Sequence, residues 1–349
     1  MDSLNLITFN SHRRFGVEIE LNAFDDRDFR AAPLDRGELP EGIHYIAALL
    51  SEIFREKVEV RKWGHTDNNN CWVLKPDASC GIEICSPVSR GYHALSQICK
   101  AVDVLNEDSN IKADGRCAAH VHVEVRDCDD YQLASILSYW IKCEAVFMDS
   151  VQAHRKVNRF CQCIGACQEF QHNDLIVPDK LIEKLSEHKY YTINTYQKVQ
   201  KRNRETVEFR IVGNDGCVDS YLLKNWIRLL LHFVEVVKNK PILRPYAEGD
   251  RWSSLLWLEP KDVLGLLEFL EECKLSQGMK QVRNWFIARI WKNLIMTDGN
   301  GIWSHIARRL AIRQVEEIIS QLHLDCNKLQ EYLNPIDHAN AVYGSEYEF

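Results

Sequence analysis

The chain has 349 residues, 46% of them hydrophobic and 27% charged, a composition typical of a globular protein with one large domain or two smaller ones. Its formal net charge of −7 at pH 7 gives no electrostatic indication of nucleic-acid binding. No apolar run reaches membrane-spanning length, and the N-terminal residues lack the basic-then-apolar order of a secretory signal.

Alternation and helical periodicity predict the secondary structure in chain order. Strands are expected at residues 14–21, 58–62, 71–75, 81–85, 117–126 and 206–212. Helices are expected at residues 41–54, 92–105, 130–151, 178–187 and 219–237. The connections are irregular and show no constant strand–helix–strand repeat. We therefore predict an α+β fold with a mostly antiparallel sheet flanked by helices.

The composition changes at residues 241–251, PILRPYAEGDR, which reads as a turn-rich linker. Beyond it, apolar residues recur at helical spacing at residues 281–294 and 303–322, and Pro260 suits the first position of a further helix. We therefore predict two units, a catalytic domain at residues 1–245 and a helical C-terminal region at residues 246–349.

Three predicted strands carry chemically reactive side chains at every second position: GVEIEL at residues 16–21, HVHVEV at 120–125 and VEFRI at 207–211. Successive side chains of a strand point to opposite faces, so the apolar residues share one face. The other face receives Glu18, Glu20, His120, His122, Glu124, Glu208 and Arg210. If the strands lie in one sheet, one side is a core and the other is a surface of metal ligands and a phosphate-binding cation.

The residue types on this face favour a metal–nucleotide site. Mg²⁺ and Mn²⁺ prefer oxygen ligands, and Mn²⁺ also accepts histidine. The candidate ligands are Glu18, Glu20, Glu83, His120 and Glu208. Arg210 can bind phosphate oxygens through two parallel hydrogen bonds. Each pair alone is also typical of a solvated strand, but their joint occurrence favours a site.

Four motifs in this order resemble the amidoligase family of the carboxylate–amine ligase superfamily, which includes glutamine synthetase and γ-glutamylcysteine synthetase. They are GVEIE, DASCGIEICSP at residues 77–87, AAHVHVEV at 118–125 and TVEFRI at 206–211. The resemblance spans residues 14–215. It implies a curved antiparallel sheet of the glutamine synthetase type, which binds ATP and two or three Mg²⁺ or Mn²⁺ ions. It also implies a small-molecule or peptide carboxylate and an amine as substrates, joined through an acyl phosphate.

The resemblance also implies a role for each motif residue. Glu18, Glu20, Glu83, His120 and Glu208 match metal ligands. Arg210 matches the arginine that contacts the transferring phosphoryl group. Asp77 matches an acidic residue that serves a third metal or orients the amine. His122 matches a phosphate or substrate contact. Asn194 and Arg155 lie where relatives carry nucleotide- or substrate-facing groups, although a structural role fits both equally.

Two other functions fit the same residues. A phosphotransferase like the guanidino kinases uses a similar sheet, and a nucleotide- or metal-binding module would keep the ligands without turnover. The identities of the carboxylate and the amine, and the oligomeric state, are not specified by these motifs.

Thirteen scattered cysteines, an odd number, differ from the disulfide framework of a small secreted domain. They predict reduced thiols and a cytoplasmic location. Cys161, Cys163 and Cys167, with His154 and His172 nearby, allow a zinc site. Their CxCxxxC spacing lacks the paired CxxC of common structural sites, so we favour ordinary cysteines.

Overall fold

The computed structural model describes residues 12–23, 39, 41–56, 58–62, 70–77, 79–156, 158–164, 177–196, 205–242, 277–296 and 305–333. Its strands are β1 Phe15–Ala23, β2 Glu59–Val60, β3 Val73–Asp77, β4 Gly81–Cys85, β5 Ile111–Lys112, β6 Ala119–Glu124, β7 Ile193–Asn194 and β8 Thr206–Phe209. Its helices are α1 Glu41–Phe54, α2 Gly91–Glu107, α3 Asp130–Asp149, α4 Ala153–Lys156, α5 Pro178–Glu187, α6 Asp215–Val218, α7 Ser220–Val237, α8 Gln277–Met296 and α9 His305–Gln321, followed by a 3₁₀ helix at Cys326–Leu333.

The strands form one open, mostly antiparallel sheet. Its order is β2-β3-β4-β1-β6-β8-β7, and β5 pairs with the end of β1. Every pair is antiparallel except β2–β3. The prediction of helices flanking a mostly antiparallel sheet is therefore confirmed.

The strand boundaries differ from the predicted ones in informative places. The predicted strand at residues 206–212 ends at Phe209, so Arg210 lies just beyond β8. The two-residue strands β5 and β7 were not predicted, because two residues are too short to show alternation. β7 nonetheless extends the sheet past β8 and carries Asn194 into the site.

The predicted apolar face is buried. Val17, Ile19, Val121 and Val123 are all almost inaccessible to solvent. Trp140 of α3 packs edge-on against Phe209 of β8, with ring centroids 4.9 Å apart. Because one face is buried, a register slip of one residue would move every polar side chain into the core, so burial fixes which residues face the site.

The C-terminal region is helical where it is described. α8 and α9 agree with the predicted helices, and Trp285 of α8 packs edge-on against Trp226 of α7, with centroids 5.9 Å apart. Pro260 and most of the predicted linker lie outside the described residues, and the division into two units stays a prediction. Across the described helices, none is long and apolar enough to cross a membrane.

Candidate active site

Strand pairing places the alternating polar residues side by side. Glu18 of β1 lies opposite His120 of β6, and Glu20 lies opposite Glu83 of β4. His122 lies opposite Glu208 of β8. Since opposite residues share a face, these strands form one surface, which we call the polar face. It comprises Lys75, Asp77, Glu83, Cys85, Glu18, Glu20, His120, His122, Glu124, Glu208 and Asn194. All five predicted metal ligands therefore lie together.

Glu18, His120 and Glu208 form the central cluster of this face. The Nδ1 atom of His120 lies 3.4 Å from Oε2 of Glu18 and 3.5 Å from Oε1 of Glu208. One ligand atom from each residue lies within 4.8 Å of the other two. Two carboxylates and one imidazole are a donor set that suits Mg²⁺ or Mn²⁺. The residues present therefore fit a divalent ion.

Two further clusters lie where β1 meets the β3–β4 hairpin, on the side of β1 away from β6. One comprises Glu20, Asp77 and Cys80, and the other Glu18, Glu83 and Cys85. In each cluster, as in the central one, the ligand atoms of the three residues lie within 4.8 Å of one another. Glu20 also approaches the central histidine, with its Oε1 atom 3.7 Å from Nε2 of His120. The clusters thus form a continuous row of donors across the sheet.

Arg210 is held beside the central cluster from several directions. Its Nη1 atom donates to Oε1 of Glu208 and lies 3.3 Å from Nδ1 of His120. Its Nε atom donates to the carbonyl oxygen of Phe160 at 3.2 Å. The backbone N–H donates to the carbonyl of Thr192 at 2.8 Å. The guanidinium is therefore fixed against the proposed metal ligands even though the residue follows the end of β8.

Asn194 and Arg155 support this pair, and Asn194 lies directly opposite Glu208 in the pairing of β7 with β8. Asn194 is fully buried and donates from Nδ2 to Oε2 of Glu208 and to the carbonyl of Lys189, both at 3.0 Å. Arg155 is 2% exposed, and its Nη2 atom donates to the backbone carbonyl of Arg210. These contacts fit the structural role that the sequence left open. Contact of either residue with a nucleotide stays a prediction.

Asp77 ends β3 and organises the turn that follows. Its Oδ1 atom accepts hydrogen bonds from the backbone N–H of Ser79 at 2.7 Å, from the Ser79 hydroxyl, and from the backbone N–H of Cys80 at 3.2 Å. Burial opposes ionisation, but these hydrogen bonds outweigh it and lower the pKa of Asp77. Asp77 is therefore a carboxylate at neutral pH.

The other carboxyl groups divide into two kinds. For Glu18 and Glu208 burial opposes ionisation, yet the neighbouring His122 and Arg210 respectively lower the pKa of each. Burial, with the charge of Asp77, raises the pKa of Glu20 well above its ordinary value. Burial, with the charge of Glu18, raises the pKa of Glu83 to about 7. For Glu20 and Glu83, burial and the neighbouring carboxylates thus outweigh the cations nearby, which are Arg210 for Glu20 and Lys75 for Glu83.

The two histidines both face Glu18. Burial and the charge of Arg210 lower the pKa of His120 to about 4, so its imidazole is neutral at pH 7 and able to bind a metal. The Nε2 atom of His122 lies 3.3 Å from Oε1 of Glu18. His122 therefore borders the central cluster, whereas its predicted contact with phosphate or substrate stays a prediction.

Lys75 and Cys85 were not predicted as site residues. The Nζ atom of Lys75 lies 2.6 Å from Oε1 of Glu83, and the Sγ atom of Cys85 lies 3.1 Å from the same oxygen. Both could have been found from spacing, since Lys75 precedes Asp77 by two residues and Cys85 follows Glu83 by two. Lys75 places a cation at the opposite side of the polar face from Arg210.

The cysteines agree with the reduced state that the sequence predicts. The eleven cysteines within the described residues all carry free thiols. Cys161 is buried and Cys163 half-buried, and within that part of the chain neither belongs to a cluster of three metal-binding side chains. Cys167 and His172 lie outside it, so the zinc interpretation is not tested.

A family model described as "Putative amidoligase enzyme" matches residues 11–234, more than half of the chain. The match spans all four sequence motifs and every residue of the polar face. The chain therefore belongs to this amidoligase family, whose name denotes ligases, and the resemblance seen in the motifs is confirmed. No curated protein matches the chain.

Proposed function

We propose that the protein is an ATP-dependent carboxylate–amine ligase with a catalytic domain of the glutamine synthetase type. It forms an amide or isopeptide bond through an acyl phosphate and requires Mg²⁺ or Mn²⁺. The observation that carries this proposal is the packing of Arg210 against Glu208 and His120, two of the three residues of the central cluster. A metal site beside a fixed guanidinium is what transfer of a phosphoryl group requires.

The chemistry explains why ATP is needed. A carboxylate is a poor acceptor for an amine, because forming the amide would expel oxide. Attack of a carboxylate oxygen on the γ-phosphorus of ATP breaks the bond to ADP and makes an acyl phosphate. The amine then attacks the acyl carbon, the carbon–oxygen bond breaks, and phosphate leaves. The amine loses a proton, so the products are the amide, ADP and phosphate.

The central cluster would hold the metal. Glu18 and Glu208 have lowered pKa values and His120 is neutral at pH 7, so all three present lone pairs without first losing a proton. A bound divalent ion would neutralise charge between the nucleotide phosphates and the substrate carboxylate.

Arg210 would stabilise the phosphoryl group during transfer. Its Nε atom and backbone N–H are bound to the protein, so the guanidinium cannot rotate away when negative charge accumulates. A cation held in place before the reaction stabilises the transition state without reorganising. Arginine suits the task because its planar donors match two phosphate oxygens at once.

The substrates are a carboxylic acid and an amine. Amino acids, a peptide terminus, a cell-wall fragment and a modified nucleobase all supply these groups. A panel of them, offered with ATP and Mg²⁺, tests the reaction by measuring release of ADP and phosphate. We expect release that depends on both the acid and the amine.

Variants connect this turnover to the site. Glu20→Ala, Glu208→Ala and Arg210→Ala should each abolish metal-dependent turnover while circular dichroism shows an intact fold. Glu124→Gln is the matched control, since Glu124 lies on the same face at the end of β6 but belongs to none of the three clusters. Its carboxylate lies 3.9 Å from Arg14. Wild-type turnover in all three alanine variants would refute the site. A stable phosphorylated product would instead identify a phosphotransferase, and ATP binding without turnover a binding module.

A further inference from the structure

Lys75 forms an ion pair within the polar face. It lies opposite Glu83 in the pairing of β3 with β4, so both side chains point to the same side of the sheet. The ammonium lies 2.6 Å from Oε1 of Glu83, and the side chains of Lys75 and Glu83 are only 13% and 10% exposed. A lysine this shielded normally requires a partner, and Glu83 provides it.

The same glutamate belongs to a candidate metal cluster. Glu18, Glu83 and Cys85 place ligand atoms within 4.8 Å of one another. The oxygen of Glu83 that Lys75 contacts also lies 3.1 Å from the Cys85 thiol. The ammonium therefore already binds an oxygen that a divalent ion would use at this cluster.

The central cluster has a different electrostatic environment. Its nearest cation is Arg210, which binds Glu208 from the far end of the sheet. Lys75 lies three strands away from His120, with β4 and β1 between them. Glu18 belongs to both clusters. A divalent ion held between His120 and Glu208 would still lie farther from the ammonium than one bound by Glu83, which would lie against it. Like charges at such short range repel strongly in a partly buried site.

We propose that Lys75 is the resident cation of the Glu18–Glu83–Cys85 cluster and balances the charge of Glu83 in place of a divalent ion. Metals then bind at the other two clusters. Lys75 is part of the chain and cannot dissociate as a metal ion can. This part of the site therefore keeps its positive charge at any metal concentration. The inference rests on the proposed function, because it assigns how the metals of that site are distributed.

The number of Mn²⁺ ions bound per chain tests this inference. Free Mn²⁺ is measured by electron paramagnetic resonance during titration of the full chain with the metal alone. We expect Lys75→Met to bind one more Mn²⁺ per chain than the wild type, and Lys75→Arg to bind the wild-type number. Adding Glu83→Gln to Lys75→Met should remove the extra ion. Lys112→Met on the exposed end of β5 is the control and should change nothing.

Two outcomes overturn the inference, and only one of them also refutes the proposed function. Equal numbers and affinities for the wild type and Lys75→Met refute the role of Lys75 and leave the proposed ligase intact. A wild type that binds no Mn²⁺ refutes both. If Lys75→Met fails to fold, Lys75→Gln replaces it, because glutamine is also neutral but more polar than methionine. This variant should likewise bind one more Mn²⁺ per chain than the wild type.

Discussion

Asn194 donates a 3.0 Å hydrogen bond from Nδ2 to Oε2 of Glu208, while Oε1 of the same carboxylate binds Arg210. The two oxygens of Glu208 are thus held by different groups, one from β7 and one from the segment after β8. This arrangement fixes the orientation of a carboxylate at the centre of the polar face. It makes Asn194 a positioning residue for the proposed metal site.

Replacing Asn194 with alanine should weaken metal binding. The change leaves Oε2 of Glu208 buried without this donor, which costs about 1–3 kcal/mol of folding stability. Loss of a group that orients a metal ligand typically lowers metal affinity by about 10- to 100-fold. Mn²⁺ titration and urea unfolding measure the two effects. Asn239→Ala, at an exposed position, is the control. Unchanged affinity for Mn²⁺ in Asn194→Ala would contradict the positioning role.

Replacing Arg155 with methionine should misplace Arg210. The backbone carbonyl of Arg210 loses a buried donor, so stability falls by about 1–3 kcal/mol. A displaced Arg210 should lower kcat by about tenfold or more, because small displacements of catalytic groups are costly. We expect the metal affinity to stay unchanged, since Arg155 contacts none of the three central ligands in the described hydrogen bonds. Arg126→Met, in an exposed ion pair with Glu205, serves as the control. A tenfold loss of Mn²⁺ affinity in Arg155→Met would contradict this assignment.

Glu83 should make the metal-free protein less stable as the pH rises. Burial and the charge of Glu18 raise its pKa to about 7, whereas the unfolded chain has the ordinary value near 4.5. The folded state therefore holds this proton more tightly, and the resulting stability is full below pH 4.5 and lost as the pH rises through 7. The loss cannot exceed about 1.4 kcal/mol per pH unit for one group.

The pH range of the measurement must separate the effect of Glu83 on stability from the effect of His120. The lowered pKa of His120 has the opposite effect, since its stabilisation is lost as the pH falls below 6.5. Urea unfolding between pH 6.5 and 8 in a chelator therefore reports mainly on the carboxyl groups. Glu83→Gln should reduce the loss of unfolding free energy as the pH rises. The raised pKa of Glu20 should account for the loss that remains in this variant. An identical slope in the wild type and Glu83→Gln would show that Glu83 is ionised throughout.

Divalent metal should stabilise the folded chain. A ligand that binds only the folded state at 100 times its Kd adds about 2.7 kcal/mol. Mn²⁺ should therefore raise the Tm of the wild type, and a chelator should reverse the change. Glu208→Gln should lose most of this gain, while Glu124→Gln should keep it. An equal rise of Tm in Glu208→Gln would place the metal outside the central cluster.

The sequence predicted on which face of the sheet each side chain lies better than it predicted which residues that side chain contacts. Alternation is a local property, so Glu18, His120 and Glu208 could be assigned to one side of a sheet from spacing alone. Their contacts depend on pairing between strands separated by about a hundred residues, which spacing does not reveal. The family motifs supplied the grouping that local patterns lacked.

The contacts that the sequence did not reveal have a physical reason in common. Lys75 lies in a strand interrupted by Pro76, where a single lysine looks like a solvated edge residue. The support that Asn194 gives to Glu208 depends on β7, whose two residues leave no periodic pattern. Arg210 was placed in a strand, yet its position depends on bonds to Phe160 and Thr192 from other segments. In each case a long-range contact defines the role.

The origin of the oxygen in the released phosphate tests the proposed reaction most directly. The chain is incubated with ATP, Mg²⁺, an amine and carboxylic acids labelled with oxygen-18 in the carboxylate, and the phosphate is examined by mass spectrometry. An acyl phosphate intermediate predicts that one labelled oxygen passes from each acid to the phosphate as the amide forms. Amide formation that leaves the phosphate unlabelled would contradict the acyl phosphate.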